Sequence, residues 1–333
     1  MKIGITFVGQ GAQYPGMGKD LYENSQAARK VFDLAGDQVK EWCFNGDEET
    51  LRQTHITQPC IYTVTMAAYE AFKEAVEEAG IEKDLEMEGL AGFSLGEYAA
   101  LTAAGSIDDI KKGMDIVTKR GKLMTEAGMG EDGQPRGGMA AAMGKRDRIL
   151  DVVDQARGDG ILEGVNFNSP TQTVVAGDKE TLEKFVTLAK ENKIKAKMLS
   201  VSTAFHSPMM VPAAETLKGL LEDADLKKPD GKIYANVTSE DILGEMKPGE
   251  NIGEYLAEIM SLQAMNPVYW EETIRNFAEN KTEVLVEIGP GTTLSGLTKK
   301  IAPKIERMHI DSRETLKETI ESLKAKIQGD KSC

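Results

Sequence analysis

The sequence predicts an α/β protein whose large domain holds a mostly parallel sheet flanked by helices. Apolar runs of strand length alternate with helical segments along most of the 333 residues, the pattern of parallel strands joined by helical crossovers. A Gly-x-Ser-x-Gly motif at residues 92–96 lies where an apolar strand should turn sharply into a helix. Residues 128–199 follow the order strand, helix, strand, strand, helix, strand, which predicts an inserted ferredoxin-like βαββαβ subdomain. We therefore expect a core domain formed by residues 1–127 and 200–333, interrupted by a subdomain at 128–199.

The composition narrows the class of protein. Hydrophobic residues make up 41% and charged residues 28% of the chain, as in ordinary globular domains. No segment has the ~18 uninterrupted apolar residues of a membrane span, and residues 1–8 are too short for a signal peptide. We therefore expect a cytoplasmic location and no membrane partner. The net charge of −14 opposes binding to nucleic acid.

The three cysteines, Cys43, Cys60 and Cys333, show no metal-ligand spacing. Their odd number, in a chain without a predicted signal peptide, argues against a disulfide framework. We expect structural cysteines, with Cys60 beside a helix start and Cys333 in a frayed tail, and no metal site.

The chain opens with a buried strand at residues 1–8 and a glycine-rich turn at residues 9–18. The turn lacks the Lys-Ser/Thr of a P-loop and the glycine spacing of a dinucleotide-binding fingerprint, so a phosphate cradle is disfavoured. Two interpretations stay open: the turn lets Gln10 lie against a reacting centre as an amide donor, or it is a plain β-to-α connection. A long helix is predicted over residues 61–79, with Pro59 near its first turn.

The Gly-x-Ser-x-Gly motif is predicted to be a nucleophile elbow. The apolar run 90–93 precedes Ser94, and a helix-forming sequence follows it. In such a turn the serine has a strained backbone and presents its hydroxyl at the helix N-terminus, while Gly92 and Gly96 allow strand and helix to approach. The N–H of Leu95 can then point at a developing oxyanion. The alternative is that the pattern occurs by chance in an ordinary loop.

Arg120 lies on a helix that is predicted to begin at Asp108. A charged residue on a surface helix is usually solvated, but small residues surround Arg120 and a cleft near Ser94 would give it a functional role. From the pattern alone, both interpretations stay open.

The remaining elements are predicted from periodicity and turn residues. A glycine-rich run at 128–138 is predicted to be a linker. In the inserted subdomain we expect strands at 139–143, 161–167, 172–176 and 194–199, and helices at 146–156 and 179–192. After it we expect a helix at 209–223, a strand at 232–236, a helix at 252–262, a strand at 283–287 and two closing helices.

A serine hydroxyl needs a base to become a good nucleophile, and the sequence offers His55, His206 and His309. His55 lies in a predicted polar turn and His309 in a short predicted strand, and both are expected to be structural. His206 lies in a loop of small residues that ends in a proline, at the edge between the predicted domains. It is therefore the candidate base, with an ordinary structural histidine as the alternative.

Seven motifs, taken together and in this order, resemble one family: the malonyl-CoA:acyl carrier protein transacylases and the acyltransferase domains of fatty-acid and polyketide synthases. The resemblance covers essentially the whole chain. The motifs are Gly9-Gln10-Gly11-Ala12-Gln13, Gly92-Phe93-Ser94-Leu95-Gly96-Glu97-Tyr98, Arg120-Gly121, Asn166-x-Asn168-Ser169-Pro170, Ala204-Phe205-His206, Gln263-x-x-Asn266-Pro267-Val268-x-Trp270 and Glu287-Ile288-Gly289-Pro290-Gly291.

The resemblance implies an [acyl-carrier-protein] S-malonyltransferase that moves malonyl from malonyl-CoA to the phosphopantetheine thiol of an acyl carrier protein, for fatty-acid or polyketide synthesis. It implies that Ser94 is acylated and that His206 is the base, oriented by a backbone carbonyl rather than by an acid. The backbone amides of Gln10 and Leu95 would form the oxyanion hole. Coenzyme A and phosphopantetheine arrive with the substrates, so no further cofactor is expected.

The resemblance also implies a substrate-binding set. Arg120 would pair with the malonyl carboxylate, which a planar guanidinium binds bidentately. Gln263 would orient the active site, and Asn168 joins the set. Phe205 is similar to the malonyl-selecting version of its loop, because a bulky ring leaves less room for an α-methyl group. Thr203 departs from the family, which often has histidine or glycine there.

Two other functions are alternatives to acyl transfer, and several lysines are candidates for docking a carrier protein. A serine hydrolase of the α/β-hydrolase type shares the elbow, but no acid is clearly placed between Ser94 and His206, and a ferredoxin-like insertion is not characteristic of that fold. The intact Ser94 and His206 argue against a catalytically silent acyl-binding module. Acyl carrier proteins are acidic, so docking one on this acidic chain needs a local basic surface. The candidates are Lys193, Lys195, Lys197, Lys299 and Lys300, and solvated lysines are the alternative for each.

Overall fold

A computed structural model describes residues 1–201 and 203–330 and divides the chain into two compact units. The first unit comprises residues 1–118, 227–234 and 274 onward, and the second unit comprises residues 119–226 and 235–273. The predicted insertion, residues 128–199, lies within the second unit, and the domain boundaries themselves stay a prediction. Cys333, expected in a frayed tail, lies outside the described residues.

The described residues form the following elements in chain order. The strands are β1 (Lys2–Phe7), β2 (Glu86–Gly92), β3 (Gly137–Met143), β4 (Leu162–Ser169), β5 (Gln172–Asp178), β6 (Lys195–Met198), β7 (Ile233–Tyr234), β8 (Val284–Ile288) and β9 (Glu306–Ile310). The helices are α1 (Lys19–Asn24), α2 (Gln26–Ala35), α3 (Asp37–Asn45), α4 (Glu48–Arg52), α5 (Thr54–Ala79), α6 (Leu95–Ala103), α7 (Ile110–Ala127), α8 (Arg146–Arg157), α9 (Lys179–Glu191), α10 (Val211–Asp223), α11 (Ile252–Met265), α12 (Trp270–Glu279), α13 (Thr293–Ile301) and α14 (Arg313–Asp330). Short 3-10 turns lie at Glu82–Asp84 and Pro208–Met210.

The first unit is built on a parallel sheet, which confirms the prediction of an α/β protein with a mostly parallel sheet. Its described strands have the order β7-β2-β1-β8-β9, and every neighbouring pair is parallel. Parallel strands need crossover connections that cover the sheet faces, so their side chains are buried on both sides. The strand β8 accordingly has no exposed residue, and β1 is buried from Ile3 onward.

The register of the sheet places two predicted motifs at one edge. Phe7, the last residue of β1, lies opposite Gly92, the last residue of β2. Because the strands are parallel, the segments that follow them leave the sheet at the same carboxyl edge. Gln10 and Ser94 lie on these two segments.

The long helix α5 begins earlier than predicted. It starts at Thr54, so Pro59 lies inside the helix rather than near its first turn. His55, expected in a polar turn, is therefore helical, and Cys60 lies inside the helix instead of beside its start. Every residue from Ile56 to Ala68 is buried, and this packing outweighs the preference of proline for the first helical position.

The second unit contains an antiparallel sheet of order β4-β5-β3-β6. The elements predicted for residues 139–199 are confirmed, with ends shifted by no more than two residues. One face of the sheet packs against α8 and α9 through a core that includes Val153, Val175 and Phe185. The other face packs against the segment that carries Phe205 and Met209.

Among residues 1–201 and 203–330, no helix is long and apolar enough to span a membrane. Nor does this part of the chain hold a group of three or more His, Cys, Asp or Glu side chains that could bind a metal ion.

A methyl group at Gly96 should destabilise the first unit, because it would overlap the backbone oxygens of Phe7 and Val8, which cannot move aside locally. We expect Gly96→Ala to lower the free energy of unfolding by about 2–3 kcal/mol or more. Gly296→Ala is the matched control, because Gly296 is an exposed residue of α13 whose added methyl meets no atom within 4 Å. It should be neutral or stabilising by up to ~1 kcal/mol. Urea unfolding followed by circular dichroism tests both, and equal midpoints would contradict the packing argument.

Candidate active site

Ser94 lies in a sharp turn between β2 and α6, in the first unit. Its backbone has φ 51° and ψ −101°, a combination that side-chain-bearing residues rarely adopt. Three backbone hydrogen bonds hold the turn: Phe93 N–H to the Phe7 oxygen (2.9 Å), Gly96 N–H to the Phe93 oxygen (2.9 Å) and Glu97 N–H to the Ser94 oxygen (3.1 Å). Such strain persists only where the surroundings enforce it, and it is most common at functional sites.

Glycines enforce the close approach around this turn. A methyl group on Gly92 would overlap the carbonyl of Gly96, and a methyl on Gly9 would overlap the carbonyl of Phe93. The helix α6 that follows Ser94 is buried from Leu95 to Leu101. The serine therefore lies at the N-terminus of a helix whose position is fixed by packing.

Two backbone amides near this edge of the sheet are available as donors. Leu95 is the first residue of α6, so its N–H has no partner within the helix. Among residues 1–201 and 203–330, neither the Leu95 N–H nor the Gln10 N–H donates a hydrogen bond. The Gln10 side chain is engaged elsewhere, since its Nε2 donates to Thr54 Oγ1 at 3.1 Å. One of the two N–H groups of the side-chain amide is thus engaged, and the backbone N–H of Gln10 is a candidate donor in its own right.

His206 is fixed by two backbone carbonyls of α11, in the second unit. Its backbone N–H donates to the backbone oxygen of Ala264 at 3.2 Å, and its ring Nδ1 lies 2.8 Å from the backbone oxygen of Gln263. A carbonyl oxygen can only accept, so Nδ1 carries the proton and Nε2 is the basic nitrogen. His206 has φ 61°, a left-handed conformation that non-glycine residues seldom adopt.

The surroundings of His206 keep the imidazole neutral. Burial, and then the positive charge of Arg120, lower the pKa of His206 from 6.5 to about 4, while hydrogen bonds with the backbones of Gln263 and Asn266 oppose the shift. The side chain is therefore unprotonated at neutral pH and able to accept a proton.

Arg120 is buried, with 1% of its surface exposed, and contacts the same glutamine. Its Nη2 donates to Gln263 Oε1 at 3.0 Å. Gln263 thus holds the histidine through its backbone and the guanidinium through its side chain. The structure brings His206, Arg120 and Gln263 into one buried cluster of the second unit.

Phe205 and Asn168, the other residues predicted to bind substrate, also lie in the second unit. Phe205 is buried and packs with Met124, Met139 and Met209. Asn168 lies on β4, and its Oδ1 is buried without a hydrogen-bond partner among the described residues. Of the rejected histidines, His55 lies in α5 and His309 in β9.

Sequence reasoning missed two features of this region. Asn166 has a buried Oδ1 that, like that of Asn168, has no partner among the described residues, although only Asn168 was assigned a role. Gly128, interpreted as part of a linker, makes room for Thr203, since a methyl there would overlap the threonine hydroxyl. The repeated asparagine in Asn166-x-Asn168 was a readable signal, whereas the Gly128 contact was not.

The Glu287-Ile288-Gly289 motif has a structural role in the first unit. The Glu287 carboxylate accepts the N–H groups of Leu294 (2.9 Å) and Ser295 (2.7 Å) at the start of α13. Burial raises the pKa of Glu287, and these hydrogen bonds oppose that rise. Gly289 has φ 120°, and a methyl there would overlap Val8, so only glycine fits.

Comparison with known proteins identifies what the chain resembles. A family model described as "Acyl transferase domain" matches residues 6–312. The malonyl CoA-acyl carrier protein transacylase of Bacillus subtilis strain 168 is 38% identical over 330 residues, covering 97% of this chain and 98% of the relative. That of Haemophilus influenzae is 34% identical over 316 residues, covering 93% and 95%.

Solved structures agree with these sequence matches. The malonyl CoA-acyl carrier protein transacylase from Clostridium perfringens superposes with a TM-score of 0.86 at 34% identity, covering 98% of each chain. A malonyl-transacylase solved in complex with its type II polyketide synthase acyl carrier protein gives a TM-score of 0.86 at 31% identity, covering 97% of this chain and 100% of that one.

The proton affinity of His206 provides a direct test of the buried cluster. We expect its ring resonance to titrate with a midpoint of about 4, and Arg120→Gln to raise that midpoint by removing the second cause of the shift. Because the unfolded chain binds this proton more tightly, stability should be lost as pH falls from about 6.5 towards 4, by on the order of 3 kcal/mol. NMR titration assigned with His206→Asn is the measurement. A midpoint near 6.5 would show that the ring is not buried as described.

Proposed function

The chain belongs to the acyl transferase domain family, and we propose that it transfers the malonyl group of malonyl-CoA to the phosphopantetheine thiol of an acyl carrier protein. The observation that carries the proposal is the match to malonyl CoA-acyl carrier protein transacylases over nearly the full length of chain and relative. The product, a malonyl thioester of the carrier protein, is an extender unit for fatty-acid or polyketide synthesis. Coenzyme A and phosphopantetheine belong to the substrates, and the proposal requires no other cofactor. A cytoplasmic location stays a prediction.

We further propose two finer structural interpretations. The positive φ of Ser94, the tightly packed glycines and the buried helix after the serine support a nucleophile elbow. The strand order β4-β5-β3-β6, with α8 and α9 on one face, supports the ferredoxin-like subdomain that is predicted for residues 128–199.

The first half-reaction forms an ester on Ser94. The Ser94 Oγ attacks the thioester carbonyl of malonyl-CoA while His206 Nε2 takes the hydroxyl proton. The amides of Gln10 and Leu95 stabilise the negative oxygen of the tetrahedral intermediate. When the intermediate collapses, the C–S bond breaks and the departing sulfur takes the proton from His206, so coenzyme A leaves as a thiol.

The second half-reaction reverses these proton movements with a different thiol. His206 takes the proton of the carrier protein's phosphopantetheine thiol, and the sulfur attacks the Ser94 ester. Collapse of the second intermediate breaks the ester bond, and Ser94 Oγ recovers the proton from His206. The cycle is a ping-pong mechanism in which one base serves both steps.

Arg120 is proposed to select malonyl by its carboxylate. A guanidinium presents parallel N–H groups that match the two oxygens of a carboxylate, and burial strengthens this pairing. Its bond to Gln263 Oε1 orients the fork. Phe205 would limit the space beside the α-carbon, and Asn168 would complete the substrate-binding set.

Replacing Ser94 tests covalent catalysis. We expect Ser94→Ala to abolish labelling of the protein by radioactive malonyl-CoA, because no other group is proposed to carry the ester. Ser322→Ala, which changes an exposed serine of α14, should label like the wild type. Covalent malonate on the Ser94→Ala protein would refute the assignment. Rapid release of free malonate by the wild type would favour a hydrolase, and a folded wild type that takes no label would favour a binding module.

Replacing Arg120 tests the choice of acyl group. A charge-assisted hydrogen bond contributes about 1.5–3 kcal/mol, so Arg120→Ala should lower kcat/KM for malonyl-CoA by roughly ten- to a few hundred-fold. Acetyl-CoA lacks the carboxylate, so its transfer should be spared. Arg120→Lys should recover little, because a point charge on a flexible stem does not reproduce the planar fork. An equal loss for both thioesters, on folded protein, would assign Arg120 a structural role instead.

A further inference from the structure

Ser207, the residue after the proposed base, has a buried hydroxyl that connects the chain on both sides of the histidine. None of the surface of Ser207 is exposed. Its Oγ donates to the backbone oxygen of Ala204 at 2.6 Å and accepts the backbone N–H of Met209 at 3.3 Å. The single hydroxyl proton is committed to a carbonyl, so the direction of both hydrogen bonds is fixed. The hydroxyl thus joins the segment before His206 to the segment after it.

The turn that contains His206 has an unfavourable backbone conformation. Phe205 and His206 are the central residues of a turn from Ala204 to Ser207, and His206 has φ 61°. A positive φ at the third residue of a turn is ordinarily supplied by glycine or asparagine. A histidine keeps this conformation only where its surroundings enforce it. The hydrogen bond between the Ser207 hydroxyl and the Ala204 oxygen does so directly, because it connects the first residue of the turn to the last.

Ser207 also begins the segment that packs against α11. It caps the 3-10 turn Pro208–Met210, since its side chain accepts the Met209 N–H and its backbone oxygen accepts the Met210 N–H at 2.9 Å. This turn continues into α10, and both the turn and α10 pack against α11. Helix α11 carries the two carbonyls that hold His206. The histidine is therefore tied to α11 twice, by its own hydrogen bonds and through the chain that Ser207 anchors.

Two simpler roles do not account for both hydrogen bonds of this hydroxyl. A helix cap needs only an acceptor for the N–H groups that follow, which explains the bond from Met209. It does not explain the bond to Ala204, which lies on the other side of the histidine. Nor is Ser207 a second nucleophile, because its hydroxyl is buried and gives its proton to a carbonyl, which is not a base that could remove it.

We propose that Ser207 is a positioning residue for His206, whose hydroxyl holds the turn in the one arrangement that sets Nδ1 against the Gln263 carbonyl. The inference rests on the proposed function, in which His206 is the base of both half-reactions. A ring that moved away from this carbonyl would lose the hydrogen bond that fixes its tautomer, and Nε2 would no longer be reliably the basic nitrogen.

The decisive variant is Ser207→Ala, which leaves the buried Ala204 oxygen without this donor. A displacement of about 1 Å at a catalytic group can cost on the order of a hundredfold in rate, so we expect kcat to fall by roughly ten- to a hundredfold. KM for malonyl-CoA should stay within about threefold, because no contact with substrate is assigned to Ser207. In single-turnover measurements, acylation of Ser94 and transfer of malonyl to free pantetheine should slow by similar factors, since one base serves both.

The proton affinity of His206 provides a second measurement that needs no substrate. In Ser207→Ala we expect the NMR titration midpoint of the His206 ring to rise from about 4 towards 6.5. Burial is the first cause of the low pKa of His206, and a ring that is no longer held becomes hydrated, while the charge of Arg120 still opposes protonation. A substitution that only lowered global stability would leave the midpoint of the folded protein unchanged.

Two further variants separate positioning from stability and from packing. Ser25→Ala is the matched control, because it removes a hydroxyl that caps α2 in the first unit by accepting the Ala28 N–H at 3.1 Å. It should lower stability as the loss of a cap does, without changing either rate or the His206 midpoint. Ser207→Cys places a weak donor in nearly the same volume and should behave like Ser207→Ala.

Four results would overturn the positioning role. The first is a folded Ser207→Ala protein whose rates lie within about twofold of the wild type. The second is slower transfer with an unshifted His206 midpoint, which would assign Ser207 to another part of the site. The third is wild-type activity in Ser207→Cys, which would reduce the role to packing. The fourth is equal slowing in Ser25→Ala, which would attribute the loss to stability.

Failure of the proposed function gives a different result. A wild-type protein that takes no label from malonyl-CoA would refute malonyl transfer, whatever the behaviour of Ser207. The His206 midpoint in the wild type and in Ser207→Ala would still show whether the serine holds the ring, because that titration is measured without substrate.

Discussion

The hydrogen bond between His206 Nδ1 and the Gln263 carbonyl determines what the second unit can do. It selects the tautomer, leaves Nε2 as the basic nitrogen and requires no carboxylate. A neutral carbonyl stabilises an imidazolium less than a carboxylate would. Burial and the charge of Arg120 therefore lower the pKa of His206 more than the hydrogen bonds raise it, and the histidine stays neutral. The resulting conjugate acid is strong. That suits the proposed mechanism, in which His206 returns each proton that it takes, first to a sulfur and then to an oxygen.

The first unit depends on a different constraint, the packing of backbone against backbone. The turns after β1 and β2 approach so closely that side chains on Gly9, Gly92 or Gly96 would overlap carbonyl groups. The buried helix α6 completes the enclosure. The unfavourable φ of Ser94 is offset by this packing, which keeps the hydroxyl and the adjacent amides in place before a substrate arrives.

Features with local causes could be predicted from the sequence. The parallel sheet followed from alternating periodicities, and the Ser94 turn followed from two glycines that flank a serine after a strand. The start of α5 was missed because the preference of Pro59 is local, whereas the burial that outweighs it comes from the whole fold. The contact of Gly128 with Thr203 joins residues 75 positions apart, and no local pattern reports it. The dual role of Gln263 was also hidden, because a sequence does not show which atoms of a residue act.

The shared attachment of His206 and Arg120 makes proton binding and anion binding reciprocal. Arg120 disfavours a proton on His206, so an anion that neutralises the guanidinium must increase the proton affinity of the imidazole. By thermodynamic linkage, protonation of the imidazole strengthens the binding of the anion by the same free energy. A malonyl carboxylate bound at Arg120 would therefore make His206 a stronger base for the Ser94 hydroxyl that is proposed to attack the malonyl thioester. An acyl group without that charge would gain no such assistance.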